Sequence, residues 1–311
     1  MADDRTSFAN RDGVIWQDGD LVPWRSATTH VLTHTIHYGV GVFEGIRAYA
    51  TPKGTSVFRL REHTRRLFDS AQIVRMDIPF SREELIKAQL EVIKANELEE
   101  CYVRPVVYYG SEAMGLRAEN LSVHVSIGCW PWPDYMDADS QERGICVGTS
   151  SLTRHHVNIS MCKAKVSGNY VNSILALSEA RDGGYDEALM LDNEGYVAEG
   201  TGENVFMIRD GVIHTPQLTS CLPGITRDSI LAFANELGYK VIERNITRDE
   251  FYIADEAFFT GTAAEVLPIR ELDHRVIGNG NRGPVTEKLQ TMYMEEVRGI
   301  RENYPEWHTV I

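Results

Sequence analysis

The feature that most constrains this chain is a break. The stretch PWPDYMDADSQERG, residues 131–144, is rich in Pro and Asp and carries neither the two-residue nor the 3.6-residue apolar repeat, which is how a linker between domains reads. The 311 residues, 43% hydrophobic and 24% charged, exceed the size at which single cores usually divide. The predicted organisation is a small N-terminal α+β domain over 1–130, a linker over 131–144, and a larger C-terminal domain over 145–311. Their junction is the expected place for a pocket.

Each side of the break opens on strands. GVIW and LVPW flank the turn QDGD, and VFEGIRAYA and TSVFRL flank a PKG turn, which predicts hairpins. A helix is expected from about Arg61 to Met76. A second opens at Ser81 with Glu84 three residues on, a capping box, and places Leu85, Ala88, Val92 and Ile93 on one face. CYVRPVVYYG and LSVHVSIGCW read as two further strands. Beyond the linker come a strand at ICVGTSSL, a helix carrying Val171, Ile174 and Leu175 that stops at Gly183-Gly184, and two hairpins around DNEG and RDG. This region is expected to be mainly antiparallel. Helices follow from about Thr226 to Leu237 and from Gly283-Pro284, where proline suits a first turn. The fold class is α+β, each domain a strand-rich sheet or barrel with flanking helices.

Charge and cysteine content exclude several function classes. Lys+Arg 31 against Asp+Glu 45 gives a net charge of -14, which repels nucleic acid and anionic membrane surfaces and leaves small molecules as the expected partners. The five cysteines are scattered without C-x-x-C spacing, so no disulfide framework or zinc site is indicated and a reducing cytoplasm is expected. The polar amino-terminal residues resemble no signal peptide, and no apolar run is long enough to span a membrane. His30, His34 and His37 have helical spacing, but no Cys, Asp or Glu lies close by in sequence to complete a metal site; no metal is expected.

Four polar clusters share a chemical theme: REHTRRL at 61–67, KAKVSGNY at 163–170, AEGTGEN at 198–204, and LPGITRDS at 222–229 with TGTAAE at 260–265. LPGITRDS puts Gly224 and Thr226 at the mouth of a helix, where backbone N–H groups and the positive dipole end can seat a phosphate. TGTAAE offers turn amides and Thr262 for a second anionic edge. On structural grounds alone Thr226 is equally an N-cap and Gly261 a turn residue. Glycines around Glu199 allow close approach to the backbone. A phosphate seat, an amine and a carboxylate able to face a pyridinium nitrogen are what a protein supplies to pyridoxal phosphate.

HYGVGVFEGIRAY, REHTRRL, YVRPVVYYG, KVSGNY, EGTGENVF, LPGITRDSI and FFTGTAAEVLPI occur in that order. With these motifs essentially the whole chain resembles the fold-type IV, class IV pyridoxal phosphate-dependent aminotransferases, and within them the branched-chain amino acid aminotransferases. The resemblance implies that Lys165 is the catalytic Schiff-base lysine and proton carrier. It implies that Arg66 binds the cofactor phosphate with Ile225, Thr226 and Thr262, that Glu199 pairs with the pyridine nitrogen, that Tyr170 supports the ring hydroxyl, and that Leu222 packs on the ring. Phe43, Tyr102, Trp132 and Tyr135 would line an apolar substrate pocket with Thr262 and Ala263. Tyr38, Met114 and Leu116 would reach in from a neighbouring subunit of a homodimer or a hexamer built as a trimer of dimers. Arg104 would meet the second carboxylate of glutamate.

The implied activity is ping-pong transfer of the amino group between leucine, isoleucine or valine and 2-oxoglutarate. A D-amino acid or (R)-amine transaminase, an aminodeoxychorismate lyase and a non-catalytic cofactor carrier stand as alternatives. Lys163, where the family commonly has a small residue, is a departure. Were 163–165 extended, the two lysine α-carbons would lie about 6.5 to 7 Å apart on one face, and Lys163 would disfavour a protonated Lys165. An outward, solvated Lys163 is the alternative.

Overall fold

The computed structural model describes residues 7–132, 136, 138–301 and 303–311. In chain order the described elements begin with β1 (Val14–Gln17), β2 (Asp20–Pro23), α1 (His34–Tyr38), β3 (Gly41–Phe43), β4 (Ile46–Thr51), β5 (Gly54–Phe58), α2 (Leu60–Ile73), α3 (Arg82–Ala95), β6 (Cys101–Tyr109) and β7 (Val123–Trp130). There follow α4 (Ala138–Arg143), β8 (Ile145–Thr149), α5 (Tyr170–Asp182), β9 (Glu187–Leu191), β10 (Val197–Glu199), β11 (Asn204–Arg209), β12 (Val212–Thr215), α6 (Ile225–Glu236) and β13 (Val241–Glu243). The chain ends with α7 (Arg248–Tyr252), β14 (Glu256–Gly261), β15 (Glu265–Leu272), β16 (Arg275–Val276), α8 (Pro284–Val297) and β17 (His308–Val310). They form two compact units, one of residues 1–132, 164–168 and 302–311, the other of 133–163 and 169–301. Short pieces from beyond the break thus belong to the first unit, and α4 lies within the stretch read as a linker.

In the first unit the sheet runs β17-β5-β4-β6-β7-β1-β2, with β3 also on β6. The capping box at Ser81 and Glu84 forms as expected, and α3 buries Leu85, Ala88, Val92 and Ile93 while α2 buries Leu60, Leu67 and Ala71 against the same core. The run VFEGIRAYA is two strands rather than one. Its break falls at Glu44-Gly45, where the carboxylate turns inward and a Cβ on Gly45 would lie 1.8 Å from the Tyr102 hydroxyl. Beside β3 runs the segment 164–168: Val42 bridges Val166, and Phe43 N–H donates to the Lys165 carbonyl at 3.1 Å.

In the second unit the sheet runs β10-β9-β8-β15-β14-β11-β12-β13, with β16 on β15. It is more mixed than the hairpin signals suggested, because β8 pairs in parallel with β9 and β15, and β12 with β13. Helix α5 also faces the other way from its apolar pattern. Val171, Ile174 and Leu175 are exposed, while Ser173, Ala176 and Ala180 are buried, small residues that let the helix pack closely on Ala188 and Met190 of β9. Among the described residues no helix is long and apolar enough to cross a membrane.

Candidate active site

Lys165 is fixed by its backbone. Its N–H donates to Ser70 Oγ of α2 at 3.0 Å, and its carbonyl accepts from Phe43 beside β3. Its Nζ lies 4.8 Å from the centroid of the Phe43 ring. The guanidinium of Arg104, on β6, lies 4.8 Å from that same ring and 5.2 Å from Tyr102. Arg104 Nη2 also donates to the Tyr102 hydroxyl at 3.3 Å, and Tyr102 stacks on Trp132 at 4.5 Å. Phe43, Tyr102, Arg104, Trp132 and Lys165 are therefore brought together. The arginine sits among aromatic faces, an arrangement favoured by the ring quadrupoles. Tyr135 lies outside the described residues.

Arg66 has a partner that the motifs did not reveal. Its Nε and Nη2 donate to Glu44 at 2.6 and 2.9 Å, and His63 Nδ1 donates to the same carboxylate at 2.7 Å. Glu44 is fully buried. Burial acts to raise its pKa, but the charge of Arg66 and the bonds from His63 and Arg66 hold it well below the usual carboxylate range. Burial likewise lowers the His63 pKa despite Glu44 beside it, so at neutral pH a neutral imidazole donates to an ionised carboxylate. A guanidinium has five donors, and Glu44 takes two of those of Arg66 while setting its orientation.

Tyr38, Met114 and Leu116 lie apart on an exposed patch of the same unit. The Tyr38 hydroxyl accepts from Gly115 N–H at 3.0 Å, and His34 Nε2 bonds the Gly115 carbonyl at 2.7 Å, so α1 grips the loop that presents Met114 and the 90%-exposed Leu116. His37 Nε2 bonds the Val31 carbonyl, and His30 Nδ1 accepts from Leu32 N–H. Backbone groups thus engage all three histidines of that spacing.

The second unit holds the buried carboxylate of Glu199. This residue, at the end of β10, is 6% exposed. Its Oε1 receives Arg154 Nη2 at 2.6 Å, and its Oε2 receives Asn204 Nδ2 at 3.3 Å and Leu222 N–H at 3.4 Å. Burial opposes the Arg154 charge, yet Glu199 outweighs it and the guanidinium pKa stands above its ordinary value. Tyr170, the first residue of α5, is within electrostatic range of Arg154. Asn204 Nδ2 also donates to the Leu222 carbonyl at 3.0 Å, tying Leu222 to the Glu199 loop.

Two residues on, Gly224 caps α6 without a side-chain bond, so the first-turn amides of Ile225 and Thr226 face no capping side chain. A Cβ on Gly224 would lie 1.9 Å from Asn204 Oδ1; only glycine leaves that approach open. Thr262 and Ala263 form the turn between β14 and β15. The register Asn204 to Thr260 sets this turn beside the Glu199 loop. The structure gathers Glu199, Leu222, Ile225 and Thr226 along one path, with Thr262 and Ala263 on the neighbouring hairpin.

Sequence reasoning missed Glu44, His63, Arg154 and a role for Asn204. His63 was detectable three residues before Arg66 on one helical face. Nothing local marks Glu44 or Arg154, whose partners lie 22 and 45 positions away. Lys163 corrects another expectation: residues 162–164 form a turn and bend rather than a strand, and its Nζ donates to the Cys221 carbonyl at 3.0 Å. Shared-face geometry with Lys165 therefore does not apply.

These features suit pyridoxal phosphate: a buried carboxylate for a pyridinium nitrogen, a helix amino end with no side-chain cap for a phosphate, and an amine beside an apolar wall. Residues 41–272 match the family described as Amino-transferase class IV. The chain belongs to that family, and is an aminotransferase dependent on pyridoxal phosphate. Its likeness then narrows to particular relatives. It is 63% identical to the branched-chain-amino-acid aminotransferase of Pseudomonas aeruginosa, over 98% of this chain and 99% of that one. The T.th. branched-chain amino acid aminotransferase with pyridoxamine 5'-phosphate superposes with a TM-score of 0.94 at 48% identity, covering 96% of this chain and 99% of that one. The same enzyme complexed with N-(5'-phosphopyridoxyl)-L-glutamate gives a TM-score of 0.92 at 48% identity and the same coverage.

Proposed function

We propose that this enzyme moves the amino group between the branched-chain L-amino acids leucine, isoleucine and valine and 2-oxoglutarate. The observation that carries this is the Phe43 ring, which has the Lys165 amine and the Arg104 guanidinium each 4.8 Å from its centroid. One apolar wall therefore serves both the reacting amine and a cation. Phe43, Tyr102 and Trp132 accept an aliphatic side chain, and Arg104 offers paired donors to a second carboxylate. The relatives whose names specify branched-chain substrates, one of them bound to a glutamate conjugate, support the same assignment.

When bound, pyridoxal phosphate supplies an electron sink for the pair of electrons left on Cα. Lys165 would hold the cofactor covalently, and its amine would carry the Cα proton. Glu199, paired with Arg154, would hold the ring nitrogen, and Tyr170 would support the ring hydroxyl. Leu222 would pack on the ring. Ile225, Thr226, Thr262 and Arg66 would hold the phosphate, and Ala263 with Thr262 would border the substrate. Tyr38, Met114 and Leu116 serve a neighbouring copy in a homodimer or a trimer of dimers, and their exposure on one patch supports that role. The cysteines are all unpaired, which suits a cytoplasmic setting.

The test is Lys165→Ala assayed with L-leucine and 2-oxoglutarate. Turnover is expected to vanish, and borohydride should label Lys165 in the native enzyme. Label on Lys163, or wild-type turnover with D-alanine or (R)-1-phenylethylamine but not leucine, would overturn the assignment.

A further inference from the structure

Residues 216–224, between β12 and α6, form neither helix nor strand, so their carbonyls have no ladder to satisfy them. Ser220 and Cys221 within this stretch are nevertheless buried. Lys163 reaches in from the turn that precedes Lys165. Exposed by area, it still places Nζ 3.0 Å from the Cys221 carbonyl and 3.5 Å from that of Thr219. An ammonium has three donors that can be shared in this way. On the next peptide, the Leu222 carbonyl accepts from Asn204 and its N–H donates to Glu199. Cys221 Sγ adds a contact to the Ala198 carbonyl at 3.2 Å. Two residues further on, Gly224 begins α6.

We infer that Lys163 is a positioning residue that ties the carbonyls of Thr219 and Cys221, fixing Leu222 and the amino end of α6 relative to Glu199 and so setting how tightly the enzyme holds pyridoxal phosphate. The inference rests on the cofactor seat proposed above. It accounts for a charged residue two positions before the reactive lysine without giving it any contact with the reacting atoms. Burial also lowers the Lys163 pKa below the ordinary lysine value, so the charge behind the clamp is lost at lower pH than on a solvated lysine.

The experiment uses holoenzyme of wild type, Lys163→Met, Lys163→Arg and Leu222→Ala. Cofactor loss on dialysis is followed by visible absorbance from neutral to alkaline pH, and the melting temperature of each apo form is recorded. Lys163→Met keeps the aliphatic stem without donors and is expected to lose cofactor roughly tenfold faster at neutral pH, since a charge-assisted bond is removed. Its apo form should melt like wild type. Lys163→Arg should recover most of the retention. Wild-type loss should accelerate toward alkaline pH, whereas the Lys163→Met rate should change little. Equal retention by wild type and Lys163→Met, with Leu222→Ala impaired, would overturn the clamp alone; no effect in either variant would overturn the seat beneath it. A matching drop in the apo melting temperature of Lys163→Met would reduce Lys163 to a general stabiliser and likewise overturn the inference.

Discussion

The two units each bury a glutamate against an arginine at 2.6 Å, Glu44 with Arg66 and Glu199 with Arg154. The pairs are built differently. Both Glu44 oxygens take close donors, Oε1 from Arg66 Nε and Oε2 from Arg66 Nη2 and His63. In Glu199 the close arginine bond is to Oε1, while Asn204 and Leu222 approach Oε2 at 3.3 and 3.4 Å, long for N–H···O bonds. A carboxylate gripped closely on both oxygens orients its partners and holds the fold. One with long contacts on an oxygen can tighten onto a ligand's N–H. The pairing distance alone does not distinguish these roles, whereas the second oxygen does.

The contrast is sharpest in paired substitutions. Glu44→Gln removes the charge facing the part-buried Arg66 and sets an amide NH2 against the donors of Arg66 and His63, and breaking such a pair costs about 3–5 kcal/mol. Urea unfolding of the apo form should show it. Glu199→Gln likewise removes the charge facing Arg154, but its amide oxygen can keep the close bond while the NH2 takes the side with the long contacts, so its apo stability should fall less, by about 1.5–3 kcal/mol, the scale of one charged hydrogen bond. Its turnover with leucine should drop roughly 10²- to 10³-fold, as when a preorganised electrostatic partner is removed. If the two variants lost stability and turnover in equal measure, the distinction would collapse.

That distinction was only half visible in the sequence. Glu199 stood out because glycines flank it in AEGTGEN, and α6 because LPGITRDS is a local helix-start signal. Capping at Ser81 and the hairpin turns are equally local, and each appears where the spacing put it. Glu44 looked like one more residue in a strand. What interrupts that strand is the long-range pull of Arg66 and His63 on α2, which no periodicity reports. Helix α5 shows the same limit: its larger apolar residues marked a face, yet the sheet took the alanine side, because close approach outweighed side-chain size. The parallel pairings of β8 join strands far apart in sequence, and turn signals speak only for neighbours.

A smaller effect separates substrates rather than roles. Arg104 lies within aromatic faces and has a bond from Nη2 to the Tyr102 hydroxyl. Leucine has no use for this cation, whereas glutamate brings a second carboxylate that would otherwise be stranded in an apolar pocket. Arg104→Ala is therefore expected to lower kcat/KM for the glutamate half-reaction by roughly 10- to 100-fold, from the loss of a charged hydrogen bond, with leucine changed far less. Single-turnover spectra of the two half-reactions measure this separately. Equal losses would assign Arg104 to packing.

The smallest expected signal is a slope. Burial keeps the folded His63 pKa below its ordinary value of 6.5, and Glu44 is held below its own 4.5 by Arg66 and His63. Both shifts act in the same direction. As pH falls below 6.5 the unfolded chain binds a proton that folded His63 refuses, and below 4.5 it binds another that Glu44 refuses, so stability is fully present above these values and declines through each. One group contributes at most about 1.4 kcal/mol per pH unit. His155 and His214 are also shifted down by burial, so the His63 share must be isolated by difference. Urea midpoints of wild type and His63→Gln between about pH 7.5 and 5, a range spanning the ordinary histidine pKa, supply it. The variant should start lower at neutral pH, because the amide fits the Glu44 site less well, and lose less on the way down. Parallel curves would mean that His63 accepts its proton in the folded state, and the closed Glu44 site would then be less closed than its hydrogen bonds indicate.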